Sequence, residues 1–156
     1  MQAIGNKIIQ KYPEKTVLYL PTTKVIDHII RAIRFNKLPQ LMEKLEQIDV
    51  LMLDDIQFLA GKTKTQEIFH NIFNDFYAKH KQIVITSDLA PKELTLLEAR
   101  LQSRFALGLV ADIKVPDMET RIAILETKCK KKGEALDTQY IELIAQVVDT
   151  NVRELE

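Results

Sequence analysis

Residues 50–55, Val-Leu-Met-Leu-Asp-Asp, form an unbroken apolar run that ends in two adjacent carboxylates, Asp54 and Asp55. Consecutive apolar residues without alternation are typical of a strand that is buried on both faces. In open α/β sheets, functional groups gather at the carboxyl ends of the strands. Two acids at such a position suit a hydrated Mg²⁺ ion and the polarisation of a water molecule. A core strand that simply enters a polar loop gives the same pattern, so the motif alone leaves both interpretations open.

Two further apolar runs predict strands on either side of this one in the sequence, at residues 16–20 (TVLYL) and 82–86 (QIVIT). Between and after them, apolar residues recur at helical spacing. Strands that alternate with helices predict an α/β fold, with a parallel sheet flanked by helices. The predicted helices cover residues 2–12, 24–35, 65–77, 94–105, 117–132 and 137–148, with a short one around Leu41 and Leu45 and a final one opening at Asn151. The pattern also suggests a strand over residues 107–113.

The predicted strands all precede residue 115, and the rest of the chain has helical patterns only. This division predicts an α/β unit over residues 1–114 and the start of a small helical lid over residues 115–156.

The composition bounds the function. Basic and acidic residues balance at 22 each, so the net charge gives no overall attraction to nucleic acid or to an anionic membrane. Any DNA contact must therefore come from a local patch or a partner domain. A single cysteine, Cys129, excludes a disulfide framework and a cysteine-based metal site, and it suits a reducing cytoplasm. No apolar run approaches the roughly 18 residues that a membrane span needs, and we expect a cytoplasmic protein.

Other polar residues lie where they could meet phosphate. Asp88 follows the predicted strand 82–86 and could sense a phosphate or orient a water, although a simple turn has the same signature. Arg100 and Arg104 are four residues apart and share a helix face. Guanidinium groups suit phosphate oxygens, but a surface face paired with Glu98 explains the two arginines equally well.

Four stretches in fixed order carry a family resemblance: LMLDDIQFLAGK (51–62), QIVITSD (82–88), RLQSRF (100–105) and NVRELE (151–156). They resemble the Walker B segment, the first sensor, box VII and the second sensor in the AAA+ domain of bacterial replication initiators of the DnaA type. The resemblance covers essentially the whole chain and is very specific. It implies an AAA+ P-loop NTPase-type fold with a parallel sheet and a helical lid, which binds ATP or ADP with Mg²⁺ and hydrolyses ATP weakly.

The resemblance implies a role for each matching residue. Asp54 would coordinate Mg²⁺, Asp55 would lie beside the attacking water, and Asp88 would be the first sensor. Arg104 would be an arginine finger that reaches the ATP site of the next protomer. Two further arginines are implicated: Arg100, supporting the same interface, and Arg153, contacting phosphate from the lid as the second sensor.

The resemblance also implies an initiator that assembles on origin DNA as a helical filament, helps to open the duplex and works with the replicative helicase machinery. Single-stranded DNA would lie along the filament, while duplex DNA would be read by a C-terminal domain that this chain does not match. The positions that match the family's single-strand contacts, with one neighbour, are Ile30, Arg34, Lys62, Lys64 and Thr65. Lysines and a hydroxyl near phosphates make physical sense.

One expected motif has no match in these 156 residues. The phosphate-binding loop, G-x-x-x-x-G-K-S/T, precedes in the family the residues that resemble MQAIGN here. We therefore expect the chain by itself to bind nucleotide very weakly and not to hydrolyse ATP alone. Two alternatives remain open: an interaction or regulatory module without the loop, and a relative of the helicase loaders.

Overall fold

The computed structural model describes residues 1–149 and the short helix 152–155. Its sheet has three parallel strands in the order β1-β2-β3, namely β1 (Val17–Pro21), β2 (Val50–Asp54) and β3 (Gln82–Ile85). The helices are α1 (Gln2–Lys11), α2 (Thr22–Arg34), α3 (Leu38–Glu46), α4 (Thr63–Ala78), α5 (Ala99–Ala106), α6 (Met118–Lys132) and α7 (Thr138–Val147), with single 3₁₀ turns at Ile56–Leu59, Pro91–Glu93 and Val152–Leu155. The predicted α/β class, a parallel sheet flanked by helices, is confirmed.

The middle strand is buried on both faces, as its uninterrupted apolar sequence predicts. Met52 and Leu53 have no exposed surface, and Leu51 is 2% exposed. Helices α2 and α4 turn an apolar stripe toward this strand, because their apolar residues recur every three or four positions. The buried core around β2 consists of Ile26, Ile29, Leu51, Leu53, Ile56, Leu59, Phe69, Ile72, Phe76, Leu94, Leu97 and Leu101.

The chain divides into two compact units, Met1–Leu109 and Val110–Glu156. In the second unit, the Asp117 carboxylate accepts a 2.8 Å hydrogen bond from the Thr120 N–H and so caps α6. The hydrogen bond from the Thr120 hydroxyl is the main cause that lowers the pKa of Asp117 below its usual value, and the bond from the Thr120 N–H adds to it. Helix α6 ends at Gly133, whose φ of 71° is left-handed.

The strand suggested at residues 107–113 is wrong. These residues form no strand, and Leu109 and Ile113 are 98% and 92% exposed. Apolar composition favours a strand, but a strand also needs a neighbour for its backbone hydrogen bonds, and no described strand pairs with this stretch.

The predicted helix over residues 94–105 begins later, at Ala99, since residues 94–98 form turns that buried side chains hold in place. The final helix is a single 3₁₀ turn, and Asn151, where it was expected to open, lies outside the described residues. Among the helices that the structure describes, none has the length and apolar content needed to cross a membrane.

Candidate functional site

The carboxyl ends of the three strands bring polar residues from distant parts of the sequence together. Asp54 is the last residue of β2, and the strand register places Pro21 of β1 beside it. On the other side, Leu53 is in register with Ile85, the last residue of β3. Because the strands are parallel, their carboxyl ends lie at the same edge of the sheet. Tyr19 lies on β1, and Thr86 and Asp88 follow β3, so these residues come from the elements on either side of β2.

Asp54 is held by a hydroxyl group on each side. The Tyr19 hydroxyl donates a 2.7 Å hydrogen bond to one carboxylate oxygen, and the Thr86 hydroxyl donates a short one to the other. The hydrogen bond to Asp54, with smaller effects of burial and of the charges on Asp54 and Asp55, raises the pKa of Tyr19. These contacts fix the orientation of the Asp54 carboxylate.

Asp55 is placed by its backbone. Its φ and ψ are both 59°, a left-handed conformation that aspartate tolerates better than most residues. Its N–H donates a 3.1 Å hydrogen bond to the Thr86 hydroxyl oxygen, which ties the turn to the end of β3. The chain therefore leaves β2 with the two carboxylates in different environments.

A side-chain amide joins Asp55 to Asp88. The Gln57 amide nitrogen donates to Asp55 Oδ1 at 3.3 Å and to Asp88 Oδ2 at 2.8 Å. The reverse orientation of the amide would turn an oxygen toward two carboxylates, so electrostatics selects this one. The Gln57 carbonyl oxygen is buried and has no hydrogen-bond partner among the described residues.

The chemistry of these residues fits a Mg²⁺ ion held chiefly by Asp54. Proteins commonly hold Mg²⁺ with one or two carboxylates, waters and substrate phosphates rather than with a complete cage. The described part of the chain has no cluster of three or more acidic, histidine or cysteine side chains suited to a metal. Tyr19 and Thr86 each donate a hydrogen bond to the Asp54 carboxylate and so hold it in place.

The two candidate arginines of α5 have different neighbours. Arg100 pairs with the carboxylate of Glu98, the residue that precedes the helix, as the surface-pair interpretation anticipates. The Arg104 guanidinium carbon lies 5.5 Å from the centre of the Tyr77 ring on α4, which is within cation–π range. The side chain of Arg153, the predicted second sensor, lies outside what the structure describes.

The residues predicted to contact DNA lie on neighbouring elements of the first unit. Ile30 and Arg34 are exposed on α2, which contacts both the 3₁₀ turn after Asp55 and α4. Lys62 and Lys64 are exposed at the start of α4, while Thr65 is only 5% exposed. The Thr65 side chain therefore offers little surface to a ligand. Its backbone N–H belongs to the first turn of α4, where no side chain caps the helix.

Sequence reasoning missed Tyr19, Thr86 and Gln57. Thr86 closes the apolar run QIVIT and Tyr19 interrupts TVLYL, so each is a polar group near the end of an apolar run. That position was a usable signal, but only the strand register shows that both hydroxyl groups meet at Asp54. Gln57 gave no such signal, because its role depends on the left-handed turn at Asp55.

Comparisons with known proteins found related sequences and structures. A family model described as the bacterial DnaA ATPase domain matches residues 1–112. The chromosomal replication initiator protein DnaA of Magnetococcus marinus is 47% identical over 156 residues, which is 100% of this chain and 35% of that protein. The crystal structure of domain III from the Thermotoga maritima replication initiation protein DnaA has a TM-score of 0.93 and 37% identity, and the match covers 99% of this chain and 65% of that one.

A structure of replication initiator DnaA bound to AMPPCP and single-stranded DNA also matches, with a TM-score of 0.89 and 32% identity over 99% of this chain and 47% of that one. The chain thus spans about a third of the length of the curated relative it matches.

Proposed function

The chain belongs to the bacterial DnaA ATPase domain family, and on that premise we propose that it forms part of an ATP-dependent initiator of chromosomal replication. The initiator would assemble on origin DNA in the bacterial cytoplasm and help to open the duplex. The observation that carries this proposal is the hydrogen-bonded set of Asp54, Asp55 and Asp88 at the ends of β2 and β3. A relative of the same fold binds AMPPCP.

The nucleotide site would use each acid differently. Asp54, oriented by Tyr19 and Thr86, would hold Mg²⁺, which supplies charge neutralisation at the phosphates. Asp55 would accept a hydrogen bond from the attacking water, and Asp88 would help to orient that water beside the terminal phosphate. Gln57 keeps Asp55 and Asp88 in a fixed relation, so that both respond together to a bound phosphate.

The arginines would act between protomers and from the lid. Arg104 would approach the nucleotide of the next protomer, with Arg100 supporting the same interface, and this would make filament assembly depend on ATP. The Arg104 guanidinium contacts the Tyr77 ring, and no ion pair with a described residue competes with phosphate for it. Arg153 would contact phosphate from the lid of the same protomer.

Single-stranded DNA would contact the neighbouring surfaces of α2 and α4. Ile30 and Arg34 would supply an apolar and a cationic contact, and Lys62 and Lys64 would meet phosphates. Thr65 would contribute its backbone N–H at the start of α4, where the helix dipole favours an anion. A relative of the same fold binds single-stranded DNA. Duplex origin DNA and the helicase machinery would be partners of the longer protein.

The decisive experiment uses a chimera in which this chain replaces the aligned 156 residues of the Magnetococcus marinus initiator. We expect the chimera to bind ATP and to assemble on a single-stranded oligonucleotide only with ATP, as sedimentation velocity would show. Arg104→Ala should spare ATP binding and abolish ATP-dependent assembly, whereas the exposed control Lys92→Ala should leave both unchanged. A folded chimera that binds no ATP would refute the proposed function, and loss of ATP binding in Arg104→Ala would refute the role of Arg104 in a neighbouring site.

A further inference from the structure

A buried glutamine connects three separate segments of the first unit. Gln66 lies in α4 and is 2% exposed. Its amide nitrogen donates to the carbonyl oxygens of Leu59 at 2.9 Å and Leu96 at 3.1 Å, and its carbonyl oxygen accepts the Glu98 N–H at 2.8 Å. Both amide hydrogens and the oxygen are thus engaged, which is what permits a polar side chain in this core.

The three backbone groups belong to functional segments. Leu59 closes the 3₁₀ turn that follows Asp55, and Glu98 is the residue immediately before α5. A backbone hydrogen bond links the same two segments, since the Gly61 N–H donates to the Leu96 carbonyl oxygen at 3.1 Å. The Gln66 side chain, near the start of α4, therefore joins the 3₁₀ turn that follows Asp55 to the residue before α5.

Helix α5 is also attached to α4 at its other end. The Phe105 ring lies 6.4 Å from that of Phe69 and 5.9 Å from that of Phe73. With the far end held by ring contacts, the direction of α5 also depends on what holds the residue before it, Glu98. One contact there that reaches α4 is the bond between Gln66 and the Glu98 N–H.

We propose that Gln66 is a positioning residue, which makes the arginine-bearing helix α5 follow any displacement of the start of α4. The Gln66 N–H donates to the Lys62 oxygen at 2.9 Å, so Gln66 moves with the turn that carries Lys62 and Lys64. Contact of those lysines with DNA would then set the orientation of Arg100 and Arg104. This inference rests on the proposed function, because it assumes DNA at the lysines and a phosphate partner for the arginines.

The mechanism follows from the cost of leaving a buried polar group unpaired. If α4 shifted alone, the Gln66 amide would lose bonds in a place where water cannot replace them. The bonds are kept if the 94–98 segment and α5 shift together with α4. Gln102 provides a contrast, because its amide nitrogen donates to the oxygens of Leu94 and Leu97 at 3.0 and 2.9 Å and so stabilises the turn without reaching α4.

The test measures amide hydrogen exchange in α5 of the full chain, with and without a single-stranded thymidine oligonucleotide. We expect the oligonucleotide to slow exchange of the Glu98 and Leu101 amides about tenfold in the unsubstituted chain. Gln66→Met, which keeps the length and loses the hydrogen bonds, should bind the oligonucleotide with unchanged affinity but lose this response. The matched variant Gln102→Met should retain it.

A second variant removes the same bond from the other side. The φ of Glu98 is −60°, the value that proline imposes, so Glu98→Pro deletes the N–H that Gln66 accepts. Glu98→Ala is its control, since it loses only the carboxylate. Normal oligonucleotide binding with an intact response of the Leu101 amide in Gln66→Met or Glu98→Pro would overturn the coupling alone. Failure of the unsubstituted chain to bind the oligonucleotide would contradict the proposed DNA contact, and the coupling with it.

Discussion

The hydroxyl group of Tyr19 donates a 2.7 Å hydrogen bond to the carboxylate of Asp54 across two neighbouring parallel strands. This contact makes an aromatic residue on the first strand part of the acidic site on the second. It also perturbs the phenol itself, because the hydrogen bond to Asp54 raises the pKa of Tyr19 from its ordinary value of 10.0.

The first prediction concerns alkaline pH. Because the folded pKa of Tyr19 lies above that of the unfolded chain, its contribution to stability is complete below pH 10.0 and is lost as the pH rises through the folded pKa. Tyr19→Phe should therefore be less stable than the unsubstituted chain below that range, with the difference shrinking above it. Asp54→Asn should move the Tyr19 pKa back toward 10.0, which NMR of the tyrosine ring carbons would measure. A Tyr19 pKa that is unchanged in Asp54→Asn would contradict the assignment.

The second prediction concerns Gln57, whose amide lies between the Asp55 and Asp88 carboxylates. Gln57→Glu replaces a shared donor with a third negative charge, and we expect a loss of about 1 kcal/mol in the free energy of unfolding at pH 7, since part of the site is exposed. The loss should diminish with added salt, which screens repulsion between charges, and with added Mg²⁺, as urea unfolding would show. Gln10→Glu, on the exposed face of α1, serves as the control and should change stability by less than about 0.5 kcal/mol. A loss that is equal at low and high salt would argue against repulsion between carboxylates.

The third prediction separates charge from apolar contact in DNA binding. Lys62→Ala and Lys64→Ala should each weaken oligonucleotide binding and reduce the slope of log K against log salt concentration by about 0.7. Ile30→Ala should weaken binding while the slope stays the same, because no counterion is released at an apolar contact. Fluorescence anisotropy over a salt series measures both quantities, with Lys7→Ala on α1 as the control. Equal slopes in all four variants would exclude phosphate contacts at the start of α4.

The fourth prediction concerns the packing of α1 on the middle strand. A Cβ atom added at Gly5 would lie 3.2 Å from the Met52 sulfur, which is tight but meets a flexible side chain. Alanine gains about 1 kcal/mol of helix propensity over glycine, so we expect Gly5→Ala to be nearly neutral. Gly5→Val adds more volume and should cost about 1–3 kcal/mol. Urea unfolding of the two variants measures this, and a stabilised Gly5→Val would show that α1 does not pack closely on β2.

The sequence was informative where a single residue pattern determines the structure. The run Val50–Leu53 predicts a buried strand because an element without alternation must have both faces covered, and the structure places it in the middle of the sheet. The adjacent acids then fall at the carboxyl end of that strand without further assumption. The same reasoning fails at residues 107–113, because an apolar composition cannot show which strand would pair with it.

The missed features depend on relations between distant residues. Nothing in the sequence near Leu94 shows that Gln66 and Gln102 hold the following turn and delay the start of α5 to Ala99. Similarly, Tyr19 and Thr86 are 67 positions apart by their numbers, and they share Asp54 only because the three strands pair in one register. Side-chain hydrogen bonds to backbone groups that are distant in the sequence produce no periodic residue pattern from which they could be predicted.

The left-handed turn at Asp55 also bears on how this site can be redesigned. At φ and ψ of 59°, a short polar side chain is tolerated, whereas most longer ones are disfavoured by about 1 kcal/mol or more. Glutamate at this position would extend the carboxylate by one methylene and would also disturb the turn that carries it. Side-chain reach and backbone shape are therefore linked at residue 55. An engineer who wanted a longer acid here would have to rebuild the turn through Gln57 as well, because a single substitution cannot lengthen the side chain and keep the turn.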